Sequence, residues 1–335
     1  MHKRRFIAAA ALAMGCCALG NAQAQAQQPT TIKLGWPTSD GATDPLAIGA
    51  RAFKQALEQQ SKGALQVQLY PNRQLGDDKQ LVEGVRFGTV DAAVVTNAVT
   101  AQTEPAFGVL ELPFLFETEA HVQKVLDGAV GADLAQRLAA KGVVVLGYFE
   151  GGFRSLINNK RPVAQPADMG GVKVRVMQNP VYIDLVNALG GAAVPMAWGE
   201  TITAIQQGTI DGLELPIALI EPLKVNEFAK YLSLTQHTFT AYELLIGKRL
   251  LDKLPAQQQA WVQAAAKEAV LEQRRAMAGQ TPKALASLQK AGMQVNPIGD
   301  VASFRKAVAP VYDKARKAGQ GALIDAVLAA APGAK

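Results

Sequence analysis

Gly171-Val172-Lys173-Val174-Arg175-Val176-Met177-Gln178-Asn179-Pro180 is the stretch from which the rest of the chain can be ordered. Val172, Val174 and Val176 alternate with Lys173 and Arg175, so the valines share one face of a short strand. Asn179 then suits a helix N-cap and Pro180 the first helical position. An arginine at the end of a strand, just ahead of a helix N-terminus, is placed to meet an anion. The same alternation also suits the wet face of an edge strand, and the local pattern leaves both readings open.

Outward from this unit, the 335-residue chain has room for two lobes of ordinary size. Its 49% hydrophobic and 19% charged residues describe a well-packed soluble protein. Residues 1–26 read as a signal peptide: Met1-His2-Lys3-Arg4-Arg5 is basic, Phe6 to Leu19 is apolar and small, and Asn21 to Ala26 offers small-x-small cleavage sites. The apolar run is short of the roughly 20 residues that span a bilayer, so the mature chain is expected to be exported, periplasmic and soluble. Ala13-Met14-Gly15 fits a lipobox poorly, and cleavage beyond Cys16 and Cys17 leaves no cysteine. The net charge of +6 includes Lys3, Arg4 and Arg5; without them the balance is too even for a nucleic-acid partner.

From Thr31 the pattern runs strand, helix, strand, helix, strand through Val95, which predicts a mainly parallel sheet flanked by helices. A helix is expected over roughly Thr118 to Ala140 and a strand over Val143 to Phe149. Glu150-Gly151-Gly152 then reads as a hinge. The second half repeats the alternation, with short strands at Phe153–Asn158, Tyr231–Leu234 and Tyr242–Ile246. Everything after Pro255 reads as helical, beginning with a long helix toward Lys290 that could bridge both lobes. Gly88-Thr89-Val90-Asp91-Ala92 is echoed by Gly208-Thr209-Ile210-Asp211-Gly212, which points to two lobes of similar topology with a crevice between them.

Few catalytic options remain. His121, expected on a solvated helix face, and His237, expected in a polar loop, have no metal-ligand spacing. Nucleophile-elbow, dinucleotide and P-loop motifs are missing, so neither catalytic residues nor cofactors nor metals are assigned. The alternative kept open is a secreted α/β enzyme acting on a small acid, with Arg175 as clamp and Asp211 or Glu214 as base.

Four ordered stretches carry a resemblance: Leu69 to Asp78, Asp168 to Val176, Ala188 to Glu200, and Gln206 to Glu214. The second, Asp168-Met169-Gly170-Gly171-Val172-Lys173-Val174-Arg175-Val176, resembles the D-M-K-G-L-K-[IV]-R-V signature of solute-binding proteins of TRAP (tripartite ATP-independent periplasmic) transporters. The resemblance covers nearly all of residues 30–300. It implies a two-lobe α/β receptor that closes on a small organic acid and delivers it to membrane permease subunits, or else serves a sensor kinase. The implied lobes are 30–151 plus 241–280 and 152–240 plus 281–335, with hinges near 150–152 and 240.

By the same resemblance Arg175 is the carboxylate anchor, Arg154 a second ligand arginine, Gln178 a polar contact and Trp198 an aromatic pocket wall. Trp36 and Asp78 correspond to cleft positions of the first lobe, and Glu214 and Leu215 to ligand-side positions of the second. The chain has Leu215 where the family often has Asn, and Thr96 where some relatives carry an acid. Together with Trp36 and Trp198 this predicts a compact, partly apolar ligand: a 2-oxo, 2-hydroxy or aromatic monocarboxylate, or a C4-dicarboxylate shared by Arg154 and Arg175.

Overall fold

A computed structural model describes residues 29–333; the expected signal peptide and both cysteines lie outside the described residues. Strands β1 (Thr30–Gly35), β2 (Leu65–Tyr70), β3 (Ala92–Thr96), β4 (Val143–Asn158), β5 (Lys173–Val176), β6 (Ala192–Pro195), β7 (Gly212–Pro216), β8 (Tyr231–Gly247) and β9 (Gln294–Pro297) share one sheet. Its order is β2-β1-β3-β8-β4-β7-β5-β6, with β9 also on β8. At each end the expected parallel βα pattern holds: β1 runs parallel to β2 and β3, and β5 runs parallel to β6 and β7.

The middle of the sheet differs from the expectation. The segments read as four short strands are two long antiparallel ones, β4 of 16 residues and β8 of 17. Each serves both halves of the molecule: β3 pairs with Tyr242–Ile246, whereas β9 pairs with Tyr231–Leu234. The glycines that looked like breaks are absorbed as bulges, with register shifts between Val145 and Gly147 and between Glu150 and Gly152. Gly152 has φ +108°, and a Cβ on Gly151 would lie 2.7 Å from the Thr240 carbonyl oxygen, so the bulge needs both glycines. Gln273 repairs the interrupted ladder, donating to the Glu150 carbonyl at 2.8 Å and accepting from the Glu150 N–H at 2.9 Å.

Two expected helices are each divided. The first becomes Glu119–Leu126 and Ala129–Ala139, parted at Asp127-Gly128, whose N–H groups cap the Gln123 and Val125 carbonyls. The expected bridging helix becomes Ala256–Met277 and Gln280–Lys290, which meet at Gly279 with φ +73°. Ala256–Met277 buries Val262, Ala265, Ala266, Ala269 and Val270 against helix Pro45–Gln60 and β4, while Gln280–Lys290 packs on Ile217–Ile220 in the other half. The bridge therefore has two parts. The tail is not all helical, because β9 interrupts it.

The last helix, Gly321–Ala329, crosses back to lie against Ala129–Ala139. His121 is buried beneath it, with Nε2 2.8 Å from the Val327 carbonyl and its ring edge-on to Phe116. The expected solvated histidine is thus a packing residue: the helix that covers it is far away in sequence.

Candidate functional site

A cavity lies where the two halves face each other across the β4–β8 bulge. The first half contributes Thr38, Asp77, Asp78, Thr96, Val99 and Tyr242; the second contributes Arg154, Arg175, Met177, Gln178, Trp198 and Leu215. The halves also touch directly. Asn179 caps helix Pro180–Ala188 through its Oδ1 and donates from Nδ2 to the Ala98 carbonyl at 2.7 Å. Gln102 Nε2 donates to the Gln178 carbonyl at 2.6 Å, and a Cβ on Gly199 would come within 2.9 Å of Asp77 Oδ2.

Arg175 projects from β5, 4% exposed. The β6 strand beside it ends at Pro195, and this brings the Met196 carbonyl under the guanidinium. Nε and Nη2 donate to that oxygen at 3.2 and 2.9 Å, and the guanidinium lies 5.8 Å from the Trp198 ring centroid. Burial pushes its pKa down to about 10, partly offset by Glu214, so it is charged at neutral pH. Of its five donor hydrogens, two go to Met196 and three have no partner among the described residues. The solvated-strand reading of Arg175 is excluded by this burial.

Arg154 is also on the cavity wall, yet its electrostatics are opposite. Nε pairs with Glu214 Oε2, and Nη2 donates to Glu214 Oε1 at 2.8 Å and to the Glu214 carbonyl at 2.5 Å. Nη1 donates to Thr240 Oγ1 at 2.7 Å, and the guanidinium lies over Tyr182 at 5.4 Å. Burial opposes charge on both partners, but each holds the other ionised: Glu214 sits below the usual carboxylate range and Arg154 above the usual guanidinium value. Four of the five Arg154 donors are committed, and one Nη1 hydrogen remains.

Asp78 opens helix Asp78–Phe87 and accepts the Thr96 N–H at 3.0 Å. Burial raises its pKa to about 6, with the neighbouring Asp77 adding to the effect and Arg175 opposing it. Gln178 and Trp198 line the cavity from the ends of β5 and β6, as does Leu215 from β7.

Two of the residues expected at the site are placed elsewhere. Trp36 is fully buried in the first-half core with Leu34, Leu46 and Phe53, its indole N–H on the Ser39 carbonyl at 3.3 Å. Its backbone still pairs with Tyr70 beyond the end of β1, which turns the side chain inward and leaves Pro37 and Thr38 as the lining residues. Glu214 is fully buried behind Arg154 and does not line the cavity. His237 belongs to this buried set and not to a polar loop: it is in β8, with Nδ1 2.7 Å from Thr235 Oγ1 and Nε2 3.6 Å from Glu214. Sequence reasoning missed Tyr242, because only the pairing of β8 with β3 and β4 brings it beside Thr96. It also missed the Met196 carbonyl as the rest for Arg175; the residue was visible within a motif, but its backbone role was not.

The enzyme alternative loses its bases to structural roles. Glu214 is ion-paired, and Asp211 lies off the cavity, accepting the Lys173 N–H at 2.8 Å and pairing with Lys160 at 3.0 Å.

The sequence profile of bacterial extracellular solute-binding protein, family 7 (DctP), matches residues 38–318. The 2,3-diketo-L-gulonate-binding periplasmic protein of Escherichia coli is 34% identical over 293 residues, 88% of each chain. A TRAP periplasmic solute-binding protein of Bordetella bronchiseptica, whose crystal structure has density interpreted as pantoate, is 35% identical with TM-score 0.87, over 90% of this chain and 100% of that one. A TRAP solute-binding protein of a Polaromonas species, bound to D-erythronate, is 36% identical with TM-score 0.86, over 90% and 98% of the two chains.

Proposed function

The chain belongs to the DctP family of bacterial extracellular solute-binding proteins, receptors and not enzymes, and we propose that it is the exported receptor of a TRAP transporter, capturing a compact organic acid through Arg175 and delivering it to membrane permease subunits. The observation that carries this reading is a buried, charged arginine on a cavity wall with three donor hydrogens and no carboxylate partner among the described residues. A carboxylate supplies the counter-charge and accepts two parallel hydrogen bonds, which a lysine at this position would not match in geometry. Among the described residues no helix is long and apolar enough to cross a membrane.

The ligand we propose is a hydroxy acid with an apolar face. Met177, Met196, Leu215 and Val99 supply apolar contact, while Thr38, Thr96, Asp78 and Gln178 offer partners to hydroxyls. The relatives with density interpreted as pantoate and with bound D-erythronate support hydroxyl-bearing acids over plain aromatic ones. A thermal-shift panel of hydroxy, oxo, aromatic and sugar acids tests this. A true ligand at 100 times its Kd stabilises by about 2.7 kcal/mol. Shifts with small branched hydroxy acids are expected; shifts with aromatic acids alone would contradict the proposed ligand.

Capture works by population shift: a ligand touching both halves favours the form in which they are together. The proposed lobes are 30–151 plus 241–280 and 152–240 plus 281–335. The rotation is assigned to the bulge where Glu150 faces Ala241 and Gly152 faces Thr240, the point at which the two crossing strands already lose register.

Asp78 adds a pH dependence. A carboxylate bound at Arg175 removes the charge that opposes Asp78 protonation, so binding takes up a proton near pH 6. Calorimetric affinity is expected to rise as pH falls from about 7.5 to 5.5, and to become flat over that range in Asp78→Asn.

A further inference from the structure

The side chain of Asn179 makes two bonds that serve different ends. Oδ1 accepts the Val181 N–H at 2.8 Å and caps helix Pro180–Ala188. Nδ2 donates to the Ala98 carbonyl at 2.7 Å, in the other half of the molecule. The pair of bonds fixes the amide's orientation, because a flipped amide would set carbonyl against carbonyl and NH2 against N–H. Asn179 is 1% exposed and Ala98 fully buried. The Ala98 carbonyl is open to this bond because its own helix stops early. Asn97–Thr100 is a single turn, and the Gln102 N–H, which a continuing α-helix would give to Ala98, goes to Val99 at 3.0 Å. The Gln102 side chain crosses the same seam in the opposite sense, donating to the Gln178 carbonyl. Each half thus gives one side-chain amide to a main-chain carbonyl of the other, beside the cavity residues Val99, Met177 and Gln178. Only the Asn179 arm is shut off from water; Gln102 is exposed.

We propose that Asn179 is a positioning residue for ligand capture: its bond to the Ala98 carbonyl holds the two halves together over the ligand and sets how long the ligand stays. Asn179 does not line the cavity; it acts through the seam beside it. The cap alone does not call for asparagine, since serine and aspartate cap a helix as well. What asparagine adds is a donor on the far side of the cap. When the halves part, water serves both Ala98 and Asn179. When they close without that donor, the Ala98 carbonyl is buried unpaired, and the cost falls on the closed form alone. Loss of the donor therefore shifts closure and not folding.

This inference rests on the receptor reading, and the experiment keeps the two apart. D-Lactate, 2-hydroxyisovalerate and D-threonate are mixed with the mature protein by stopped flow, with Trp198 on the cavity wall as the fluorescent reporter, and the tightest of the three is carried to the variants. Asn179→Ser and Asn179→Asp both keep an oxygen for the cap and both lose the donor across the seam. The expected result is a dissociation rate raised on the order of tenfold in Asn179→Ser, with association not slowed and the melting temperature of the unliganded protein unchanged. Dissociation should be faster still in Asn179→Asp, where a carboxylate faces the carbonyl. Gln102→Ala, on the exposed arm, should change dissociation much less. A residue that only caps the helix would leave dissociation at the parent rate in both Asn179 variants, and that result overturns the inference. If Asn179→Ser proves less stable than the parent, the isosteric Asn179→Asp decides, since its charge is favoured at a helix N-terminus. Failure of all three acids to bind the parent overturns the receptor reading itself, and the inference with it.

Discussion

Arg175→Ala is expected to abolish tight ligand binding while leaving the unliganded protein at least as stable as the parent. The guanidinium is buried with a carbonyl and an indole as its only close partners among the described residues. Desolvation of that charge is therefore a standing cost in the free protein, and truncation relieves it. In the complex the balance inverts, because a bound carboxylate would lose its counter-charge. Truncating one partner of a buried, hydrogen-bonded pair costs about 2–5 kcal/mol, or roughly 30- to 4,000-fold in Kd. Calorimetry and a melting curve on the same sample check both halves of the prediction. Lost affinity with an unchanged or raised melting temperature is the expected pair of results; unchanged affinity would remove Arg175 from the site.

Arg154→Ala is expected to do the reverse. It leaves the fully buried Glu214 carboxylate with His237, whose Nε2 is 3.6 Å away, and without the guanidinium that held it ionised. Breaking a buried pair from one side costs about 3–5 kcal/mol of stability. Chemical denaturation should show a loss of that order, larger than any change in Arg175→Ala. The two cavity arginines are thus distinguishable without a ligand: one is paired and stabilising, the other is held at a cost. A smaller loss in Arg154→Ala than in Arg175→Ala would contradict the assignment of roles.

The contrast also marks how far sequence could go. The βα units at both ends of the sheet were legible, because alternation, capping residues and glycine punctuation are local signals. The position of Arg175 at a strand end before a capped helix was legible in the stretch around it, though that stretch left open whether the cation faced an anion or water. The continuity of β4 and β8 was hidden. Gly151 and Gly152 carry the composition of a break, and only pairing along 16 and 17 residues turns them into a bulge. The same long-range pairing decided which charges matter. Arg154 and Glu214 are 60 residues apart in the chain, and nothing in either neighbourhood announces that they cancel. Trp36 shows the converse: the family resemblance set it at a cleft position, yet one backbone bond past the strand end commits it to the core.

The proposed capture rests on a carboxylate held by the unpaired charge of Arg175. Its most direct test is calorimetric titration of the wild-type protein with a hydroxy acid that raises its melting temperature, beside the primary amide of that acid. One equivalent of the acid should bind and return chemically unchanged, while the amide, equal in shape but uncharged, should give no measurable binding. An amide that binds as tightly as its acid would contradict the claim.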